Sequence, residues 1–192
     1  MIRVLLVDDH PALRAGLSAV LSAEPGIVPL GAASSDLDVW PALQRTRPDV
    51  VLLDYHLSGR DGLSICRQIK RAIAAPRVVL YSAYADASLA IPALLAGADG
   101  IMHKGAPAGE LYEALRLVVR GSRVLPPLSR ELLGAAAARV HSDDLPILGL
   151  VMDDTPRGEI ADVLGLTPQE LDARIERMIG RLRIEIPQAA SS

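Results

Sequence analysis

Five short aliphatic runs, each followed by a stretch with helical spacing, narrow the folds open to this chain more than anything else in it. The runs are Arg3–Val7, Ile27–Ala32, Val50–Leu53, Val78–Tyr81 and Gly100–His103. Each is nearly continuous in apolar residues, as strands of a parallel sheet covered on both faces should be. Between them, Leu13, Leu17, Val20 and Leu21 share one helical face, and Leu63, Cys66, Ile69 and Ile73 form a second with Lys70 at its edge. Leu111, Leu115 and Val118 form a third. Asp38 is placed to cap the second helix, with Pro41 in its first turn, and Pro92 predicts a kink or irregular turn in the fourth. Five βα units in succession predict an α/β fold with a doubly wound, five-stranded parallel sheet. Such sheets bind ligands beyond the carboxyl ends of their strands.

The pattern changes after residue 121. Val124–Leu128 contains two prolines and reads as an extended hinge, and Ser129–Arg139 as an Ala-rich helix with Ser129 as its cap. Three further helices are expected at Asp144–Asp153, Arg157–Leu164 and Pro168–Ile184, the last with Thr167 as N-cap, Pro168 at N1 and Glu170 completing a capping box. The expected domains are therefore 1–121, a linker with a helix at 122–141, a small all-α domain at 142–186 and a flexible tail at 187–192.

Half of the 192 residues are hydrophobic but there is no Phe and one Trp, so the core must be aliphatic. The single Cys66 excludes an internal disulfide and suits a reducing compartment. No signal peptide is visible, and the low-polarity stretch 87–98 falls well short of the roughly 20 residues a membrane span needs. A cytoplasmic protein with no membrane partner is expected. Charge is uneven: residues 1–140 carry 15 Lys+Arg and 13 Asp+Glu, a net +2, whereas 141–192 carry 5 Arg and 10 Asp+Glu, a net −5.

Polar residues stand where the sheet should bind. Asp8 and Asp9 follow the first strand, Asp54 ends the third, Ser82 the fourth, and Lys104 follows the fifth. Three carboxylates brought together repel one another and invite a divalent cation, and oxygen-only donors favour Mg²⁺. Asp54 beside the metal and Lys104 can attack a phosphoryl donor in line, while Ser82 can donate a hydrogen bond to the phosphoryl oxygens. An Asp pair after a strand is more often a cap or solvated turn, but five such residues at four of the five expected strand ends leave little room for chance.

The segments that carry this pattern, VLLVDDHPALRAGL (4–17), DVVLLDYHLSGRDG (49–62) and GADG (97–100) before Lys104, resemble NarL/FixJ-type response regulators. The resemblance covers residues 2–121 and implies a flavodoxin-like receiver domain phosphorylated by a sensor histidine kinase. It also implies Asp54 as phosphoacceptor, Asp9 as direct Mg²⁺ ligand, Asp8 acting through water, and the His56 carbonyl completing the site. Ser82 and Lys104 are implied to read the phosphoryl group. Two positions depart from the family: Ser58 replaces a proline, and Ile101 replaces the aromatic switch residue, a role that Tyr84 is placed to share. His56 and Tyr84 flank the site and are positioned to tune dephosphorylation. His10 is read as shaping the start of the first helix, Cys66 as core, and Trp40 as packing.

Residues 147–182 resemble the LuxR-type helix-turn-helix found behind such receivers, through Ile147-Leu148, Leu150-Val151, Glu159-Ile160-Ala161, Leu164–Thr167, Leu171, Ile175 and Leu182. The family's turn residues, often Gly and Asn, are Asp154 and Arg157 here. Its Thr-Val-Lys run on the recognition helix is Glu170, Leu171 and Asp172. The residues left to face DNA are Thr167, Arg174, Arg177 and Arg181, against pairing of such arginines with Glu170, Asp172 and Glu176 at i,i+3 and i,i+4 spacing. Two outputs stay open: a transcription regulator that homodimerises on phosphorylation and binds DNA, or a receiver whose helix-turn-helix domain mediates protein contact. No Ser/His/Asp, Cys/His, P-loop or GxGxxG arrangement marks an enzyme, so the only catalysis expected is phosphotransfer and autodephosphorylation at Asp54.

Overall fold

The computed structural model describes residues 1–57, 60–72, 74–83 and 85–183. Ser58, Ile73, Tyr84, Ile184 and the expected tail lie outside the described residues. The chain divides into two compact units, 1–86 with 96–127, and 87–95 with 128 onward.

The first unit holds a parallel sheet of β1 (Ile2–Val7), β2 (Ile27–Ala33), β3 (Val50–Asp54), β4 (Arg77–Ser82) and β5 (Gly100–His103), in the order β2-β1-β3-β4-β5. The strand order reverses between β1 and β3, and at such a switch point a crevice opens beyond the strand ends. The helices that follow the strands are α1 (Pro11–Ala23), α2 (Asp36–Thr46), α3 (Gly62–Lys70), α4 (Ala87–Ala96) and α5 (Ala108–Val119). Val4, Leu6, Val50, Leu52, Val79 and Tyr81 meet Leu17 and Leu21 of α1 and Leu111, Leu115 and Val118 of α5. The alternate residues Leu5, Val51, Leu53, Val78 and Leu80 are fully buried too, so both faces are covered, which explains the unbroken apolar runs. Cys66 is core as expected.

Both sheet edges are finished differently. Edge strand β2 contains Pro29, which has no N–H to offer. Along β5, Val124 forms a parallel bridge to Gly100, accepting from Ile101 N–H (2.8 Å) and donating to the Asp99 carbonyl (3.0 Å). The stretch read as a hinge therefore belongs, through residue 127, to the first unit.

Several local expectations are corrected. The N-cap of α2 is Ser35, not Asp38, whose carboxylate instead accepts from the Ser34 (2.9 Å) and Ser35 (2.8 Å) hydroxyls. These bonds hold the Asp38 carboxyl below its ordinary pKa. Pro41 lies inside α2 rather than in its first turn; it forgoes a bond to the carbonyl of exposed Leu37, which water can serve. Pro92 lies inside helix α4 and not in an irregular turn. Trp40 is 38% exposed instead of packed. A short antiparallel hairpin, His56–Leu57 against Arg60–Asp61, had no signature in the sequence pattern.

At the amino-terminal end of the sheet, the buried Asp99 accepts from Lys70 Nζ, Arg77 and the Val78 N–H, each at 2.8 Å. Lys70, on the edge of its apolar stripe, is thus a partner of Asp99. Removing the carboxylate leaves a buried N–H and a half-buried ammonium without an acceptor. Asp99→Ala is expected to cost about 3 kcal/mol, discounted for the exposure of Arg77, while Asp99→Asn keeps the Val78 bond and should lose less. Urea unfolding of the two variants measures this.

In the second unit, α6 (Arg130–Arg139) is capped by the Ser129 hydroxyl, which accepts from Leu132 N–H at 3.2 Å. A 3-10 turn (Ser142–Asp144) leads into α7 (Leu145–Met152), α8 (Arg157–Leu164) and α9 (Pro168–Leu182). Ile147, Leu148, Val151, Ile160, Ala161, Leu171, Ile175, Met178, Ile179 and Leu182 are the buried hydrophobic residues of α7–α9. The predicted Thr167–Glu170 capping box is present. Asp154 sits at φ 61°, so the left-handed turn that a glycine would give is kept by an Asp, one of the few side chains that tolerate it. Among the described residues no helix is long and apolar enough to cross a membrane.

Candidate phosphoacceptor site

The apolar run of β1 delivers Asp8 and Asp9 to the switch-point crevice, and β3 delivers Asp54 beside them. Asp8 and Asp54 are each 3% exposed. Lys104, just past β5, places its ammonium 2.8 Å from Asp8 Oδ2 and 2.8 Å from Asp54 Oδ2, bridging the two carboxylates. The His10 N–H donates to Asp8 Oδ1 (2.8 Å) and the His56 N–H to Asp54 Oδ1 (3.2 Å). His10 is the N-cap residue of α1, but its side chain makes no capping bond; its Nδ1 lies 2.8 Å from Asp9 Oδ1 and 3.2 Å from Asp8 Oδ1.

Burial raises the Asp54 carboxyl above its ordinary value; the bond and charge of Lys104 oppose this, and the Asp8 charge adds to it. For Lys104 burial acts to lower the pKa, but the Asp54 and Asp8 carboxylates outweigh it and the net shift is upward. Lys104 is thus held as the ammonium while Asp54 is a carboxylate under stress.

Asp8, Asp9, His10 and Asp54 each offer one ligand atom, all within 4.8 Å of one another. Three carboxylates against one ammonium leave excess negative charge in a buried crevice, and the donors are predominantly hard oxygens. The residues therefore fit a divalent cation.

Ser82 is fully buried at the end of β4, where its carbonyl accepts the Lys104 N–H at 2.9 Å. Ile101 is buried within β5. The fold thus gathers Asp8, Asp9, Asp54, Ser82 and Lys104 at one sheet end, as their spacing predicted. Three supporting groups were not singled out in advance. Arg14 donates to the Asp8 carbonyl at 2.7 Å, the Tyr81 hydroxyl donates to the Lys104 carbonyl at 3.0 Å, and Gly62 donates its N–H to the Tyr55 carbonyl at 2.7 Å. A Cβ on Gly62 would stand 2.4 Å from the Asp54 carbonyl oxygen. The glycine after Asp61 was the one visible signal.

On α9, Asp172 and Arg174 form ion pairs with residues outside the helix. Glu170 is used by the Thr167 cap, and bonds from the Thr167 backbone and side chain hold its pKa down, with the Arg174 charge adding to the effect. Asp172 pairs with Arg157 at 3.0 Å, and Arg174 with the buried Asp144 at 3.3 Å. Arg177 and Arg181 are exposed and make no ion pair among the described residues.

Residues 4–116 match the response regulator receiver domain. The transcriptional regulatory protein LiaR of Bacillus subtilis is 30% identical over 96% of this chain and 92% of its own length. The DNA-binding transcriptional activator DevR/DosR of Mycobacterium tuberculosis is 29% identical, over 96% and 90%. A crystal structure of a LuxR-family two-component response regulator from Aurantimonas sp. superposes with a TM-score of 0.63 at 28% identity, over 70% of this chain and 97% of that one. The chain belongs to the NarL/FixJ-type response regulators of two-component systems.

Proposed function

We infer that this response regulator is switched by phosphorylation of Asp54 by a sensor histidine kinase and regulates transcription by binding DNA through its C-terminal domain. The observation that carries the first half is the Lys104 ammonium bridging Asp8 and Asp54 in a buried three-carboxylate crevice. Asp54 attacks the donor phosphorus; its carboxylate oxygen–phosphorus bond forms as the bond to the donor's leaving group breaks, giving an acyl phosphate. Lys104 offsets the charge on the transferring oxygens, and Ser82 donates to one of them. Asp9 and Asp54, with Asp8 through water and the His56 carbonyl, would hold Mg²⁺, which supplies further positive charge at the same place. The side chain of His56 bears on how water reaches the acyl phosphate in autodephosphorylation.

For the output, the structure supplies a specific argument. Of the three acids on α9, Glu170 is engaged in a cap and Asp172 with Arg157. Arg174, Arg177 and Arg181 follow one another at i, i+3 and i+7 and form a stripe along the helix. Thr167, at the amino end of α9, adds its position next to that stripe. A phosphorylation-dependent homodimer would present two such stripes.

Binding to genomic DNA fragments across a salt series, with and without beryllofluoride and Mg²⁺, tests this. Selective binding strengthened by beryllofluoride is expected, and Arg177→Ala and Arg181→Ala should each reduce the slope of log K against log salt by about 1. No binding at low salt, with beryllofluoride still changing the oligomeric state, would replace DNA by protein contact as the output.

A further inference from the structure

Past the last backbone bond between β4 and β5, one side chain continues the connection. His103 Nε2 lies 2.8 Å from the Ala83 carbonyl oxygen, and its Nδ1 lies 2.9 Å from the Gly105 N–H. Both partners are backbone groups with fixed polarity. A carbonyl can only accept and an N–H can only donate, so the ring serves both partners in the tautomer that carries its proton on Nε2. Ala83 follows Ser82, and Gly105 follows Lys104. The ring therefore joins the two loops that carry the hydroxyl and the ammonium aimed at the phosphoryl group. Gly105 favours the arrangement: a Cβ there would stand 3.1 Å from His103 Nδ1 and 3.2 Å from its Cε1, and the ring would have to give by a few tenths of an ångström.

We propose that His103 is a positioning residue, a clasp that fixes Ser82 relative to Lys104 so that the two groups meet the phosphoryl oxygens as one unit. This rests on Asp54 being the phosphoacceptor. The Lys104 N–H bond to the Ser82 carbonyl sets the backbone spacing, and the Tyr81 hydroxyl bond to the Lys104 carbonyl secures it from the core side. The imidazole ties the outer side, one residue further on, where the two chains would otherwise part. With Ile at position 101, β5 offers no ring there to register a movement of Ser82, and the clasp supplies a direct tie between the same two loops.

The two halves of the clasp can be separated. In His103→Asn the amide oxygen replaces Nδ1 and keeps Gly105 but cannot reach Ala83. In His103→Gln the amide nitrogen replaces Nε2 and keeps Ala83. Beryllofluoride affinity in the presence of Mg²⁺ is measured on the full chain, with urea unfolding alongside. The expected result is a loss of about fivefold for His103→Asn, the scale of one hydrogen bond, with His103→Gln within about twofold of wild type and all three equally stable. Nitrogen NMR of wild-type His103 should show the Nε2–H tautomer. Equal affinity of wild type and His103→Asn, an equal fall in both variants, or an Nδ1–H tautomer overturns the clasp. Failure of the wild type to bind beryllofluoride overturns the phosphoacceptor reading, and the clasp with it.

Discussion

Asp54→Asn is expected to take no phosphoryl group from a small donor such as acetyl phosphate, and to unfold later than the wild type at neutral pH without divalent metal. The first result follows from loss of the nucleophilic oxygen pair and is read on a phosphate-affinity gel; undiminished labelling would move the acceptor elsewhere. The second follows from the site's electrostatics. Burial raises the folded-state pKa of Asp54 above its unfolded value, so its favourable contribution is present only below the unfolded pKa and is lost as pH rises through the folded one. At pH 7 the ionised carboxylate is a liability that the amide does not carry. Lys104 keeps Asp8 as a partner in the variant, so no ammonium is stranded. A gain on the order of 1 kcal/mol is expected, the scale on which relieving a strained functional site stabilises a protein. The difference should shrink as pH is lowered toward 3.8, the ordinary value. Adding Mg²⁺ should raise the melting temperature of the wild type more than that of Asp54→Asn, because the variant has lost one of the charges that bind it.

The second large effect is expected at Gly62. Its conformation is ordinary, so any residue could adopt it, but its Cα lies against the backbone of Asp54 and Tyr55. An added methyl would meet the Asp54 carbonyl oxygen at 2.4 Å and the Tyr55 Cα at 2.9 Å, and neither is a flexible side-chain end. Gly62→Ala must therefore push α3 away from β3 or displace Asp54 itself. A destabilisation of about 3 kcal/mol is expected, at the upper end for overpacking, together with slower labelling by acetyl phosphate. Wild-type unfolding and wild-type labelling in this variant would show that the loop yields freely.

What was legible in the sequence was whatever depends on local periodicity. The five strands are buried on both faces and so wrote themselves as continuous apolar runs, and their ends fell where polarity changed, at Asp8, Asp54, Ser82 and Lys104. The Thr167–Glu170 box was legible because a capping box is closed within four residues. Partners far apart in the chain were not. Arg174 meets Asp144 and Arg157 meets Asp172 across turns of the helical unit, and i,i+4 spacing has no knowledge of either. The hairpin at His56–Asp61 is two residues on each side, too short to show alternation. Asp38 looked like a cap because capping residues are short and polar, but Ser35 is too, and the two neighbouring serine hydroxyls turned the carboxylate into an acceptor. Lys70 looked like the edge of a stripe, and only the fold reveals that Asp99 waits beside it.

The finished edges of the sheet limit how two copies can meet. An open strand is an adhesive surface, since its row of unused backbone groups will pair with any extended segment that arrives. Here β5 has spent Gly100 and its neighbours on Val124, and β2 interrupts its own row with Pro29. A second molecule finds no continuous ladder to extend on either side. The homodimer proposed above then has to form through helix surfaces, where side chains set the partner and the register. Such a contact can be reversed on hydrolysis of the proposed acyl phosphate, which a shared sheet would resist.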